Sequence, residues 1–343
     1  MENFRPYIFP QTVGTVEEVQ KRSDLGQAKF PRLVEFRNQL LREFMREVRP
    51  ENLVDNLNLF NISYPITEGE YILNFDPKMD AEELSRIVSP CIEIAKDILQ
   101  QHQILIPDDL LSRVYVIEEQ TFNNVVLQEL DEDPYSGFVA GATLPNRLVI
   151  LSGRRVNLIC DKQNIDRDHF IRVIVMSELI GHSLVYKEAW IPQNEDSSKT
   201  PDQWGVKRHG LIISPPKPNS KTFLMTSLLH EGFTQYFTRA ILKFHGDQVL
   251  DLDKYPSETR VIEEMVNGLG IKVLFRAAYL QEGYRDFAMA LQERYGKGAL
   301  GRIIKLMDID QQTEEAARRM YNIKYPPFKN TLNFLSKPSD LDD

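Results

Sequence analysis

Two stretches in the first third of the chain repeat apolar positions at intervals of three and four, the spacing of one face of a helix. The first stretch covers residues 31–48, with the apolar positions Leu33, Phe36, Leu40, Leu41, Phe44 and Met45. The second runs from residue 80 to about residue 102, shortly after Pro77. Both stretches are therefore predicted to be amphipathic helices that bury one side.

Shorter apolar runs bounded by turn residues predict strands. Residues 70–75 and 113–117 each predict one strand, and residues 137–153 predict two strands around a turn at Pro145 and Asn146. From residue 166 onward the helical spacing dominates almost to the end. Mixed strands and helices followed by helices alone predict an α+β fold, with residues 147–151 as the last strand.

A long connection interrupts the helical half. About thirty residues, five of them proline, separate a helix predicted to end near Trp190 from one predicted to start near Thr222. Loops of this length in compact domains are usually functional or disordered. Because Trp204 and Leu211 give this one apolar groups to bury, we predict that it folds over a cleft.

The chain has 343 residues, of which 42% are hydrophobic and 27% charged, so a packed core is available. We predict a helical N-terminal extension over residues 1–65, a main domain over residues 66–330, and a disordered polar tail over residues 331–343. Cys91 and Cys160 lie in apolar surroundings and are expected to be unpaired buried thiols.

The charge distribution excludes two classes of partner. The formal net charge is -9 and no block of Lys and Arg is present, which argues against nucleic acid and anionic membranes. No apolar run approaches the roughly 20 residues that cross a bilayer. The N-terminus also lacks the positively charged stretch followed by an apolar stretch that is typical of a signal peptide. We therefore expect a cytoplasmic protein.

Two predicted helices carry polar side chains that call for an explanation. In the first, Glu178 and His182 are four residues apart and share a face of a regular helix. In the second, His230 and Glu231 interrupt a largely apolar stretch, where burial without partners would be costly. The other histidines have no such context, and surface or capping positions are expected for His102, His169 and His245.

The phrase HEGFTQYFTR, residues 230–239, resembles the helix that provides the third zinc ligand in gluzincin-type metallopeptidases. In that family two histidines of an HExxH helix and a glutamate from a following helix hold the zinc ion. The resemblance, which covers roughly residues 110–310, implies that Glu231 stands at the third-ligand position. His230 occupies a position where that family usually has asparagine.

The segment SELIGH, residues 177–182, stands where HExxH should lie, and implies Glu178 as the general base. Replacing Ser177 by His and deleting Gly181 would restore the motif. The resemblance further implies a zincin-like fold, in which Gly141, Ala142 and Tyr236 contact a peptide substrate. It also implies that the helices of Glu178 and Glu231 pack together, with both carboxyl groups facing one cavity.

The motif is damaged in two ways. Serine is not a usual zinc ligand, so Ser177 removes one ligand. The additional Gly181 turns His182 by about 100° around a regular helix, unless a one-residue π-bulge absorbs it. His182 and Glu231 then remain, and a third ligand would have to come from His209 or His230. Zinc binding is therefore expected to be weak or absent.

Three functions are compatible with these patterns. The preferred one is a non-catalytic pseudopeptidase whose cleft binds a peptide or a protein. The second is an active zinc-dependent hydrolase that uses His182, Glu231 and a further histidine. The third is a structural α+β protein with an accidental likeness to peptidases. The oligomeric state is left open by the sequence.

Overall fold

The structure is a computed structural model, and it describes residues 60–65, 81–108, 110–129, 140–144, 147–192, 206–214, 221–247, 255–321 and 328–337. The strands are β1 (Phe60–Pro65), β2 (Val114–Ile117), β3 (Gly141–Thr143), β4 (Val149–Ser152), β5 (Lys187–Pro192), β6 (Val206–His209) and β7 (Ile212–Ser214). The helices are α1 (Ala81–Gln101), α2 (Glu119–Glu129), α3 (Gly153–Gln163), α4 (Arg167–Met176), α5 (Lys221–His245), α6 (Pro256–Leu269), α7 (Ile271–Tyr279), α8 (Gly283–Tyr295), α9 (Ala299–Tyr321) and α10 (Lys329–Leu335), together with a 3-10 turn (Leu110–Arg113) and a π-helix (Ser177–Ser183).

The chain forms two compact units. The described residues within 67–185 and 234–253 belong to the first unit, and those within 8–66, 186–233 and 254–343 belong to the second. Helix α5 runs through this division, since its residues up to Phe233 are counted with the second unit and those from Thr234 with the first.

The first unit is built on a three-stranded sheet with the order β2-β4-β3. Strand β4 pairs in parallel with β2 and in antiparallel with β3, and every residue of this central strand is buried. An apolar cluster on one face joins the sheet to α2, and its buried members are Ile117, Phe122, Ala142, Leu144 and Ile150.

Helices α3 and α4 follow the sheet and have clear sequence-encoded boundaries. The Ser152 hydroxyl accepts a bond from the N–H of Arg155 at the start of α3, which ends at Asn164 in the left-handed conformation, with φ of 54°. The Asp166 carboxylate then accepts the N–H of His169 at 2.7 Å and begins α4. These caps fix where α3 begins and ends and where α4 begins.

The second unit contains a four-stranded antiparallel sheet with the order β1-β5-β6-β7. Buried aromatic side chains join α5 to α7, with ring centroids 6.0 Å apart for Phe233 and Phe275 and 6.2 Å apart for Phe233 and Tyr279. The N–H of Tyr186, just before β5, donates to the C=O of Ala278 in α7 at 2.8 Å. The sheet and the helices therefore share one core.

A buried arginine of β6 holds the C-terminal end of α7 within this unit. Arg208 is 0% exposed, and its guanidinium donates to the carbonyls of Gln281 at 2.9 Å, Leu280 at 3.1 Å, and Ala277. It also donates to Gly210 at 3.0 Å within its own hairpin. The last carbonyls of a helix lack intrahelical partners and carry partial negative charge, so a cation is favoured there.

A buried carboxylate positions the last helix. Asp310 of α9 is 5% exposed and accepts the backbone N–H groups of Asn330 at 3.1 Å and Thr331 at 2.8 Å. It also accepts the Thr331 hydroxyl at 2.7 Å. A carboxylate at the N-terminal end of a helix satisfies its unpaired N–H groups, which stabilises α10 against α9.

The α+β class is confirmed, because the described residues are mostly helical with small sheets. The predicted helix near residues 80–102, the strand at 113–117 and the two strands within 137–153 are all present. The predicted helix at 31–48 and strand at 70–75 lie outside the described residues. None of the helices that the structure describes is long and apolar enough to cross a membrane.

The region after the π-helix differs from the prediction. The helix expected to continue to Trp190 ends at Ser183, and strand β5 occupies Lys187–Pro192. The predicted loop contains the hairpin of β6 and β7, so residues 147–151 are not the last strand. Its remaining residues, including Trp204, lie outside the described part of the chain.

Both predicted boundaries of the main domain also shift. Strand β1 pairs with β5 in one sheet, so residues 60–65 are not part of a separate extension. At the other end, residues 329–335 form helix α10, and the predicted disordered tail from residue 331 is therefore wrong over these positions.

Candidate functional site

The segment that carries Glu178 and His182 is a π-helix, Ser177–Ser183, which continues directly from α4. The N–H of Leu184 donates to the C=O of Leu179 at 3.0 Å, and this i→i+5 bond defines the helix type. Each turn therefore holds one residue more than an α-turn. Of the two geometries that the sequence left open, the π-helix is the one observed.

This geometry changes the relation between Ser177 and His182. The two residues are five apart, which is one turn of a π-helix, as the two histidines of HExxH are one turn apart in an α-helix. The 100° displacement of His182 expected for a regular helix therefore does not apply. Both Glu178 and His182 are half-buried.

Gly181 is the residue that lets this helix approach α5. A Cβ atom at position 181 would lie 2.6 Å from the Oγ1 and 2.9 Å from the Cβ of Thr234, closer than real Cβ contacts. Thr234 is itself 2% exposed, so it has little room to move. The π-helix therefore packs against the helix that also carries the HEGF phrase, and it does so at a glycine.

Replacing Gly181 by alanine is expected to reduce the free energy of unfolding of the first unit by about 1–3 kcal/mol, because the new methyl group overpacks a filled contact. The measurement is chemical unfolding of four variants: the parent, Gly181→Ala, Thr234→Ala and the double variant. Removing the Thr234 methyl and hydroxyl should recover most of the loss, which gives a coupling energy between the two sites. Additive effects of the two substitutions would contradict the contact.

The carboxylate of Glu178 is held by the outer strand of the small sheet. The Thr143 hydroxyl lies 2.8 Å from Oε2 of Glu178 and 2.9 Å from its backbone carbonyl oxygen. On the same strand, a Cβ atom at Gly141 would lie 3.0 Å from Leu151 and would clash with Ile174, so only glycine fits there. Strand β3 therefore lies directly against α4 and the π-helix.

Alternate backbone groups of β3 point away from β4. The N–H of Ser152 donates to Ala140 at 2.9 Å and the N–H of Leu144 donates to Leu148 at 2.8 Å, so even-numbered residues are bonded to β4. The backbone groups of Gly141 and Thr143 point the other way. Ala142, by contrast, faces β4 with its backbone and the apolar cluster with its side chain. The backbone edge of β3 that is not bonded to β4 is therefore formed by Gly141 and Thr143 rather than by Ala142.

The HEGF phrase lies in the middle of α5. A Cβ atom at Gly232 would lie 2.6 Å from the backbone carbonyl of Glu258, so this glycine allows α5 to contact the start of α6. His230 is 0% exposed, and its Nδ1 accepts the N–H of Leu211 at the long distance of 3.5 Å. Glu231 is half-buried on the same helix, and Tyr236 is half-buried within its first-unit part.

The side chains at the motif positions of residues 177–182 offer few of the usual zinc ligands. Ser177 offers a hydroxyl, which is not a usual zinc ligand, so the SELIGH segment provides the single imidazole of His182. His209 is not in a loop as predicted but on strand β6, with its ring 6.0 Å from that of His230. Because a catalytic zinc centre of this type takes two histidines from the motif helix, the residues at the motif positions do not fit one.

A second polar cluster lies in the first unit and was not predicted. Arg172 of α4 donates to both oxygens of Asp247 at 2.8 Å, just after α5 ends. Nδ1 of His169 and Nδ1 of His245 lie 3.5 Å and 3.4 Å from Oδ2 of the same carboxylate. Cys91 of α1 completes the group, and among the described residues it forms with His245 and Asp247 a set whose ligand atoms lie within 4.8 Å of one another.

Burial and charge shift the pKa values in this cluster. Burial raises the pKa of the Cys91 thiol to about 11, although the positive charge of Arg172 acts in the opposite direction. For Asp247, burial favours the neutral acid, but the hydrogen bonds and charge of Arg172 outweigh it and lower the pKa.

His169, expected at the surface or at a cap, is 5% exposed. The sequence did show His169 and Arg172 on one face of α4, but not their partner.

Comparisons of the chain with protein-family models, curated proteins and solved structures find no match to any of them.

Proposed function

We propose that this protein is a zincin-like pseudopeptidase, which binds an extended segment of a peptide or protein along strand β3 without cleaving it. The observation that carries the proposal is the position of β3, which places outward-pointing backbone groups of Gly141 and Thr143 next to the Glu178 carboxylate. An extended peptide adds to such a strand through backbone hydrogen bonds.

The π-helix supports the link to a peptidase-like ancestor. It absorbs Gly181 as one additional residue, so SELIGH keeps the one-turn separation that the two histidines of HExxH have. The same segment holds a serine where the first histidine would stand. For this function, the carboxylate of Glu178 orders β3 through its hydrogen bond with the Thr143 hydroxyl and does not activate a water molecule.

Peptide addition should slow hydrogen exchange at the N–H groups of Gly141 and Thr143 and leave Ala142 unchanged, because Ala142 already faces β4. The measurement is residue-level exchange of the full chain with and without a synthetic mixture of unstructured decapeptides. The peptides should be recovered intact after incubation with Zn²⁺.

Thr143→Val, which keeps the shape but removes the hydroxyl, should weaken peptide binding by about 10-fold, or about 1.4 kcal/mol.

Two results would replace this proposal by another. Chelator-sensitive cleavage of the peptides that is lost in Glu178→Gln would show an active peptidase with unconventional ligands. Failure of every peptide to slow exchange in β3 would leave the α+β scaffold without a peptide-binding role.

A further inference from the structure

We propose that Cys91, His245 and Asp247 form a transition-metal site, and that Zn²⁺ is the ion their donor atoms favour. The site lies within the first unit and is independent of the SELIGH segment and of the peptide-binding role. A thiolate, an imidazole and a carboxylate are the three kinds of side chain that bind zinc in proteins. The three come from α1, the last residue of α5, and the turn that follows Gly246.

The distances suit a metal better than a hydrogen bond. His245 Nδ1 lies 3.4 Å from Asp247 Oδ2, whereas charged N–H···O bonds are about 2.7–2.9 Å long. Zinc bonds of about 2.1 Å at the tetrahedral angle separate two ligand atoms by roughly 3.4 Å. His245 Nδ1 is also buried and makes no hydrogen bond within the described part of the chain.

The sulfur atom completes the site with a small movement. The ligand atoms of all three residues lie within 4.8 Å of one another, and a tetrahedral zinc holds sulfur and nitrogen roughly 3.6 Å apart. A side-chain shift on the order of 1 Å therefore suffices. The thiol gives its proton to water as the Zn–S bond forms, and a water molecule fills the fourth position.

Arg172 and His169 position the carboxylate. Arg172 bonds both oxygens of Asp247, and each oxygen keeps a second lone pair for another partner. The carboxylate and the thiolate together balance the double charge of the ion, while the charge of Arg172 limits the affinity. Side chains that orient a ligand in this way are a common feature of metal sites.

The test uses the full chain after treatment with a chelator and removal of the chelator. Titration with Co²⁺ should give one bound ion, with the near-ultraviolet absorption of a cobalt–thiolate bond, and Zn²⁺ should displace it. In Cys91→Ser the affinity for Zn²⁺ should fall at least about 100-fold and the thiolate absorption should vanish. Cys160→Ser is the matched control, because Cys160 is also a buried free thiol but lies outside the cluster.

His245→Gln provides a second variant, since His245 is more exposed than Cys91 and its replacement puts folding at less risk. It should lower the affinity in the same way and leave the circular dichroism unchanged. Absence of binding at micromolar Zn²⁺, or equal binding by the parent and Cys91→Ser, would overturn the assignment. The cluster would then be a structural ion pair between Arg172 and Asp247.

Discussion

Replacing Arg208 by methionine is expected to lower the free energy of unfolding of the second unit by about 3–5 kcal/mol, because several buried carbonyl groups lose a hydrogen-bond donor at once. Methionine keeps much of the volume but donates no hydrogen bond. The carbonyl of Gln281, just past the end of α7, would lose its buried donor at a cost of about 1–3 kcal/mol, whereas that of Leu280 would keep the N–H of Gly283 at 3.2 Å. The rings of Tyr186 and Tyr284, 5.5 Å and 5.3 Å from the guanidinium, would lose a cation–π contact.

Chemical unfolding, with hydrogen exchange of α7 as the local readout, measures this effect. Arg208→Lys keeps the charge but not the planar fork of donors, so an intermediate loss of about 1–3 kcal/mol is expected. Arg260→Met is the control, because Arg260 is exposed on α6 of the same unit and should change stability by no more than about 0.5 kcal/mol. Equal effects of Arg208→Met and Arg260→Met would show that Arg208 does not hold α7.

Replacing Ser177 by histidine is expected to create a metal site with one substitution. Because residues 177 and 182 are already one π-turn apart, the new imidazole should join that of His182 on one face, and no deletion of Gly181 is needed. The experiment is done with Cys91→Ser in all variants, so that the proposed Cys91 site does not contribute. At a hundredfold excess of Zn²⁺ over its dissociation constant, the folded state should gain about 2.7 kcal/mol.

Thermal unfolding with and without Zn²⁺ measures the gain. The shift should appear in Ser177→His, be absent from its parent, and be lost when His182→Ala is added. If Ser177→His folds and its melting temperature does not respond to Zn²⁺, the proposal that SELIGH is a decayed zinc motif is wrong.

Elements with strong local patterns could be predicted from the sequence. Helix α1 has a sustained helical repeat, and α5 ends just before Gly246, whose φ of 90° favours glycine. The strands β3 and β4 are separated by turn residues that local chemistry specifies. In each case the residues that determine the structure are neighbours along the chain.

Features that depend on distant partners could not be predicted. Strand β5 was interpreted as helix because it follows a helical repeat, and its partner β1 lies far away in the sequence. The aromatic residue Trp190 and the β-branched residue Ile191 are the local signal for this strand, and the helical repeat before them outweighed it. The cluster of Cys91 and Asp247 likewise joins residues from distant parts of the chain, and only tertiary structure brings them together.

The π-helix has a consequence for how such a chain can gain or lose chemistry. Because the additional residue is absorbed within one turn, side chains on either side keep the directions they would have without it. The contact at which this helix requires glycine is that of Gly181 with Thr234. During evolution, serine and histidine could therefore replace each other at position 177 without a change of fold. Metal binding at this position could be gained or lost while the structure around it is kept.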